Sequence, residues 1–419
     1  MTETTPDQAP TKTGLKGLPR NVWAVSFTSF FMDVSSEMVI NILPLFLANV
    51  LGVRTSIIGL IEGVAEATAS LLKLFSGWLS DRMRARKWLA VVGYSLSALS
   101  KPFFYIASSW ELIAAVRWVD RVGKGIRTSP RDALVADSVK EDQRGLAFGF
   151  HRAMDTAGAM VGLLIALGVV WLAQANQTDL GLTTFRVVVL VSIPPALLAV
   201  LILALGSQDV AVTGQRSMPR FSLRSLGKPF VVFMLIVGMF DLGNSSDAFL
   251  VLRAQERGLS VIGILGMLVS FNFVYALVST PAGSLSDRIG RRKVIIGGWL
   301  VYSTIYLGFA LAANGMQVWV LYVIYGLYYG LTYGTTKAMV ADLVPDTLRG
   351  SAYGSYNAII GILDFPASLI AGLLWQGLGN WAGFGPAAPF LFGAVLAFMA
   401  AVLMLVWMPR YLPAKTTQS

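Results

Sequence analysis

Residues 119 to 137 read VDRVGKGIRTSPRDALVAD and place Asp120, Arg121, Lys124, Arg127, Arg131, Asp132 and Asp137 in one short stretch. Counting from Arg117, the bases Arg121, Lys124 and Arg131 follow at steps of four, three and seven. At about 100° per residue on an α-helix these four fall within roughly 60° of one another, and Arg127 adds about 40°. A basic stripe of this kind could meet phosphate, nucleic acid or an organic carboxylate, since the arginine fork matches oxyanions with two parallel hydrogen bonds. A nucleotide-binding loop is excluded, because Gly125 follows Lys124 where Ser or Thr is required and no strand pattern precedes it. Carboxylates recur at helical spacing elsewhere: Asp33 with Glu37, and Glu62 with Glu66, the latter two turns before Lys73. Asp241, Asp247 and Asp364 stand in other apolar runs, and His151, Arg152 and Asp155 open another. With one histidine and no cysteine, the sequence holds no clustered nucleophile-and-base set and no thiolate metal site. It reads as neither an enzyme nor a metal or cofactor protein.

The elements that position these residues must lie in a bilayer. The chain of 419 residues is 55% hydrophobic and 13% charged, with a mean hydropathy of +0.65. Soluble domains are about one quarter charged. A spanning helix needs about 20 mostly apolar residues. Such spans fall at 22–50, 55–80, 88–108, 110–136, 146–173 and 184–206, and then at 229–252, 260–284, 294–313, 317–341, 352–378 and 387–408. The prediction is an all-α membrane protein of twelve helices in two sets of six. The expected organisation is an N-terminal tail (1–21), a first bundle (22–206), a linker (207–228), a second bundle (229–408) and a tail (409–419).

Orientation follows from the loops. Arg82, Arg84, Arg86 and Lys87, then Arg216, Arg220, Arg224 and Lys228, then Arg288, Arg291, Arg292 and Lys293 collect on one side. The positive-inside rule makes that side cytoplasmic, together with both termini, in the inner membrane. It also accounts for the net charge of +10 without nucleic acid as a partner. The parity works only if 110–136 crosses the bilayer, so the basic stripe belongs to a spanning helix facing a central cavity.

The two sets of six are copies of one unit. GWLSDRMRARK (77–87) and GSLSDRIGRRK (283–293) put Asp81 and Asp287 206 residues apart, and Asp137 and Asp342 are separated by 205. Asp33 and Asp241 correspond at an offset of 208. Parallel repeats of this kind are one of the known transporter layouts. The motif G-x-L-S-D-R-x-G-R-R-K resembles the loop signature of the major facilitator superfamily. The copy at Gly283, Asp287, Arg288, Gly290, Arg291 and Arg292 departs only at Ser286, where the family usually has Ala. The copy at Gly77, Asp81 and Arg82 departs at Arg84 and Ala85, where the family has Gly-Arg. A second signature, the glycine-proline pair of the antiporters, is matched at Gly158 and Gly162 but has Ala159 in place of proline.

The resemblance implies a secondary transporter working by alternating access, with the motif residues as a conformational latch. Proton-coupled export of a small organic molecule leads; uptake or facilitated passage of an organic anion is the alternative, and a non-transporting receptor on the same fold a remote one. Proton carriers are sought among Asp33, first, then Glu37, Glu66 and Asp241. The tenth span, YVIYGLYYGLTYGTTKAM, puts tyrosines where the fourth has bases. Arg117, Arg121, Lys124, Arg127 and Arg131, with Tyr325, Tyr329 and Asp364, are the candidate substrate-cavity residues. The stripe could instead serve only to neutralise neighbouring carboxylates. A monomer in the lipid bilayer is expected, with the small-molecule substrate and protons as its partners.

Overall fold

The computed structural model describes residues 15–83, 86–140, 143–174, 177–210, 226–345 and 348–408. Among them the ordered backbone is helical, with no strand. The first six passes are α1 (Arg20–Ile40) with α2 (Leu43–Leu45), α3 (Thr55–Met83), α4 (Arg86–Ile106), α5 (Trp110–Ser138), α6 (Arg144–Gln174) and α7 (Leu182–Gly206). The second six are α8 (Gly227–Leu242) with α9 (Ala248–Glu256), α10 (Val261–Ile289), α11 (Arg291–Leu311), α12 (Gly315–Asp342), α13 (Arg349–Gln376) and α14 (Ala388–Val406). The weakest expected span, 110–136, is one unbroken helix, α5, capped by the Ser109 side chain, which accepts from Leu112 N.

The helix count is therefore not a plain twelve, because the first and seventh passes are broken. Pro44 cannot donate to the Ile40 carbonyl and its ring crowds it, so α1 ends there; a wide turn at Phe46–Val50 carries the chain on. In the seventh pass α8 stops at Leu242, before Gly243-Asn244-Ser245-Ser246-Asp247, residues whose short polar side chains compete with helical hydrogen bonding. The Tyr302 hydroxyl satisfies the freed Gly243 carbonyl at 3.1 Å. Among the described residues, eight segments are long and apolar enough to cross a membrane by themselves. The expected passes outside that set are α3 and α5, which carry charge, the broken α8–α9, and the tyrosine- and glycine-rich α12.

Within each set the helices pack side by side, and the most extensive single contact, α3 on α13, runs between the sets. α1 lies against α6 and α7, and α5 against α3 and α4; α11 lies against α12 and α14, and α10 against α12. Glycines make the closest approaches. A Cβ on Gly162 would strike the Val34 backbone, and one on Gly158 the Phe30 backbone, so the partly matched antiporter signature is here the α1–α6 contact. Gly162→Leu is expected to lower stability by about 1–3 kcal/mol through overpacking. Gly168→Leu, where nothing lies within 4 Å, should be neutral. Thermal unfolding of the two purified variants checks the contrast.

The two sets meet chiefly along α3 and α13, and secondly along α6 and α10. Gly63 lies against Phe365, Gly361 against Ser70, and Gly372 against the backbone of Thr55 and Ser56. At one end of this seam the sets are tied by Arg54 Nη1 to Gly379 O (3.0 Å), Thr55 N to Gln376 Oε1 (2.9 Å) and Gln255 Nε2 to Asp179 Oδ1 (3.1 Å). Toward the other end Arg152, Tyr333 and Gly334 are exposed.

Candidate functional site

The basic stripe of α5 is distributed among three neighbouring helices. Arg117 is 1% exposed and grips Glu62 of α3 with both arms, Nε to Oε1 at 3.1 Å and Nη2 to Oε2 at 2.7 Å. Arg121 pairs with Glu66 one turn further along, at 2.9 Å. Asp120 is held by Lys101 of α4 at 3.6 Å, and Arg117 Nη1 lies 3.7 Å from it. The Arg117–Glu62 and Lys101–Asp120 pairs are buried, which explains their completeness: a lone charge at membrane depth costs several kcal/mol on most estimates, about 2.5–3.5 on insertion scales. Glycines let the helices close on them, Gly125 against Ala69 and Leu72 of α3, and Gly123 against Gly93 and Ser97 of α4.

The rest of the stripe is not neutralised in this way. Arg127 donates to Ser97 Oγ and stacks over the Tyr94 ring, 4.6 Å from its centroid, and Tyr94 OH in turn bonds Ser29 Oγ at 2.9 Å. Arg131 leans on its neighbour Asp132 at 2.8 Å and reaches Ser29 Oγ at 3.3 Å. Lys124 makes no ion pair among the described residues, and neither does Lys73 of α3. Both are partly exposed. Lys124 faces Glu66, Arg121, Arg127 and Lys73, so it sits in locally positive surroundings.

The acidic candidates divide similarly. Glu66 is committed to Arg121, and Glu37 accepts from Asn41 Nδ2 at 2.8 Å. Asp33 faces Glu37, Asp155, Arg127 and Lys124 without an ion pair among the described residues. In the second set Asp241 is 6% exposed with Oδ2 unpartnered, and Asp364 of α13 faces it. Asp364 also faces Glu66 and Lys73 across the seam. His151 Nδ1 lies 3.6 Å from Asp155 Oδ1. Among the described residues no group of His, Cys, Asp and Glu could hold a metal ion.

Tyr325 and Tyr329 take different places. Tyr325 is fully buried in a continuous ring cluster with Phe271, Tyr302, Tyr306, Tyr322 and Tyr328. Its hydroxyl lies 3.5 Å from Asn244 Oδ1 and Asp247 Oδ1 at the α8–α9 break. Tyr329 is partly exposed and packs edge-on against Tyr275 and Tyr325. Tyr275 OH accepts from Arg152 Nη2 of the first set at 3.0 Å.

The motif loops close contacts within each set. Gly290 joins α10 to α11 at φ 94°, a left-handed conformation that favours glycine. Arg291 pairs with Asp342 of α12 at 2.7 Å and reaches the Ala338 carbonyl. Its repeat counterpart is Arg86 of α4, paired with Asp137 of α5. Gly77 packs against Ser129, Arg82 stacks on Trp78 with 5.5 Å to the centroid, and Arg288 is exposed. Arg292 Nε is buried without a hydrogen-bond partner. The side chains of Asp81 and Asp287, and the surroundings of Gly283, lie outside the described residues, as do Arg84 and Ala85. Sequence reasoning passed over Lys101, although a lysine beside Pro102 in an apolar span was a visible signal. It also used Asp137 and Asp342 only as repeat markers, although equal spacing from Arg86 and Arg291 made them natural partners. Arg291→Ala is expected to lower thermal stability by about 1 kcal/mol, as for a partly exposed pair, and more at low than at high salt. Unfolding at two salt concentrations tests it.

The Major Facilitator Superfamily model matches residues 25–260 and 230–419. The chain belongs to this superfamily. An uncharacterised MFS-type transporter of Methanocaldococcus jannaschii is 34% identical over 394 residues, covering 93% of this chain and 95% of that one. The quinolone resistance protein NorA of Staphylococcus aureus is 27% identical over 143 residues, 34% of this chain and 36% of NorA. A POT family transporter solved with 5-aminolevulinic acid superposes with TM-score 0.78 at 13% identity, over 96% of this chain and 98% of its own. A bacterial homologue of the human lysosomal transporter Spinster, inward-facing and occupied, superposes with TM-score 0.74 at 14% identity, over 93% and 96%. These structures share the fold of this superfamily member. The chain is a multi-pass membrane transporter of the MFS, not an enzyme.

Proposed function

We propose that this MFS transporter exports a small organic molecule in exchange for protons, by rocking the bundles 22–206 and 229–408 about the α3–α13 seam. The observation that carries the reading is the uneven charge accounting across that seam. Among the described residues Lys124, Arg127 and Lys73 on the first side make no ion pair with a carboxylate, and on the second Asp241 and Asp364 make none with a base, although Asp364 faces Lys73. A molecule with an anionic group and an apolar body would suit the chemistry of Lys124 in the first set and of the partly exposed ring of Tyr329 in the second. Exchange with protons is supported by intramembrane carboxylates free of ion pairs, Asp33 and Asp241. Export draws on the partial likeness to NorA, named for quinolone resistance.

The state described is read as inward-facing: the ties at Arg54, Thr55 and Gln255 close one end, while at the other Arg152, Tyr333 and Gly334 are exposed, although Arg152 still reaches Tyr275 across the bundles. The basic loops favour a cytoplasmic position for that open end and support an inner-membrane location. It is expected to work as a monomer. The unpaired Lys124 also favours a second reading, uptake of an organic anion down its gradient. Purified protein screened by thermal shift against organic anions, zwitterions and cations should be stabilised by anionic compounds. Stabilisation by cations alone would defeat the assignment of Lys124.

A further inference from the structure

The geometry points to the break between α8 and α9 as the proton-binding site of this transporter, with one proton shared between Asp241 and Asp364. The inference rests on proton-driven transport and names the groups that would carry it.

α8 ends one residue after Asp241, so this carboxyl sits where backbone hydrogen bonding is interrupted at membrane depth. Irregular backbone is tolerated there only where protein or a polar cavity receives it, and broken helices in transporters commonly form ion sites. The Asp241 carboxyl is 6% exposed and its Oδ2 has no hydrogen-bond partner. Among the described residues no base faces Asp241. From α13 it is faced by Asp364 and Tyr356, from α12 by Tyr328, and from its own break by Asn244. From α11 the Tyr302 hydroxyl reaches Gly243 O and Asn244 Oδ1 at the break, and α14 has no ionisable side chain between Ala388 and Val406. Two facing carboxyls in such a place cannot both carry charge cheaply, and a shared proton resolves the conflict.

Asp364 makes the site a coupling device as well as a reservoir. It faces Glu66 and Lys73 of α3, on the other side of the main contact between the bundles. With the proton lost, the negative charge at Asp364 attracts Lys73 across the seam. With the proton bound and shared, the pair keeps one negative charge instead of two, so the pull on Lys73 weakens and Lys73 turns more to Glu66. Proton occupancy would therefore set how tightly α3 holds α13. Asp33, the repeat counterpart of Asp241, differs in facing Arg127 and Lys124, which can compensate its charge.

The test needs no substrate. Infrared difference spectra of the purified protein, titrated from alkaline to acid pH, should show a protonated-carboxyl band that Asp241→Asn and Asp364→Asn each abolish and Asp33→Asn retains. The chain has no cysteine, so spin labels on Gly145→Cys and Ile289→Cys report the separation of the bundles. Acidification should change that distance in the parent and leave it fixed in Asp364→Asn and in Lys73→Met, the latter keeping the band. A band untouched by either asparagine variant, or one displaced by sodium at constant pH, overturns the proton site. A band that behaves as expected without any substrate-driven proton movement supports the site and overturns only the coupled-transport reading.

Discussion

Glu62→Gln is expected to lower the stability of the folded protein by about 3 kcal/mol, the lower end of the cost of stranding one member of a buried ion pair. Arg117 has 1% of its surface exposed, and an arginine keeps its charge even when buried. Glu66 and Asp120, both at 3.7 Å from its guanidinium, would offset part of the loss, which is why the lower end applies. Replacing both partners, Glu62→Leu with Arg117→Met, should recover most of it, since a well-packed apolar pair often matches a buried ionic one. Thermal unfolding of the purified single and double variants measures the cycle. A single-variant loss under about 1 kcal/mol would show that the network tolerates an unpaired arginine.

Lys124→Ala should have the opposite profile, a folded protein that fails to bind. Lys124 makes no ion pair among the described residues, so its removal strands no carboxylate. Removing the cation opposite a buried anionic group costs about 2 kcal/mol or more. At about 1.4 kcal/mol per tenfold, affinity for an anionic ligand should fall ~30-fold. Lys124→Arg should keep most of the affinity. Ligand titration by thermal shift reads both, and an unchanged affinity in Lys124→Ala would remove the residue from the substrate site. The Glu62 and Lys124 variants together separate an α5 base that holds helices from an α5 base that meets cargo.

Much of this architecture was legible in the sequence because membranes impose few rules. Length, hydropathy and loop charge located the passes, and parity assigned the charged stretch 110–136 to a helix that hydropathy alone would reject. The breaks at Asn41 and Gly243 were not anticipated. A proline or a run of short polar residues near the end of an apolar span changes backbone direction without changing hydropathy. Helix angles gathered the five bases of α5 on one face, yet they could not say that Arg117 and Arg121 turn to α3, Arg127 to α4 and Arg131 toward Ser29 of α1. Partner choice depends on rotamers and on close approach at Gly93, Gly123 and Gly125, both tertiary properties. The acidic character opposite Lys73 was similarly hidden. Asp241 and Asp364 are 123 residues apart and meet only because α8 packs on α13.

Coupled transport itself is tested most directly in vesicles containing the purified protein and a pH dye. A compound found by thermal shift is added with no imposed pH gradient, and the dye is followed. The account predicts proton movement opposite in direction to the compound, abolished in Asp241→Asn. Transport of the compound with no accompanying change in pH would contradict it.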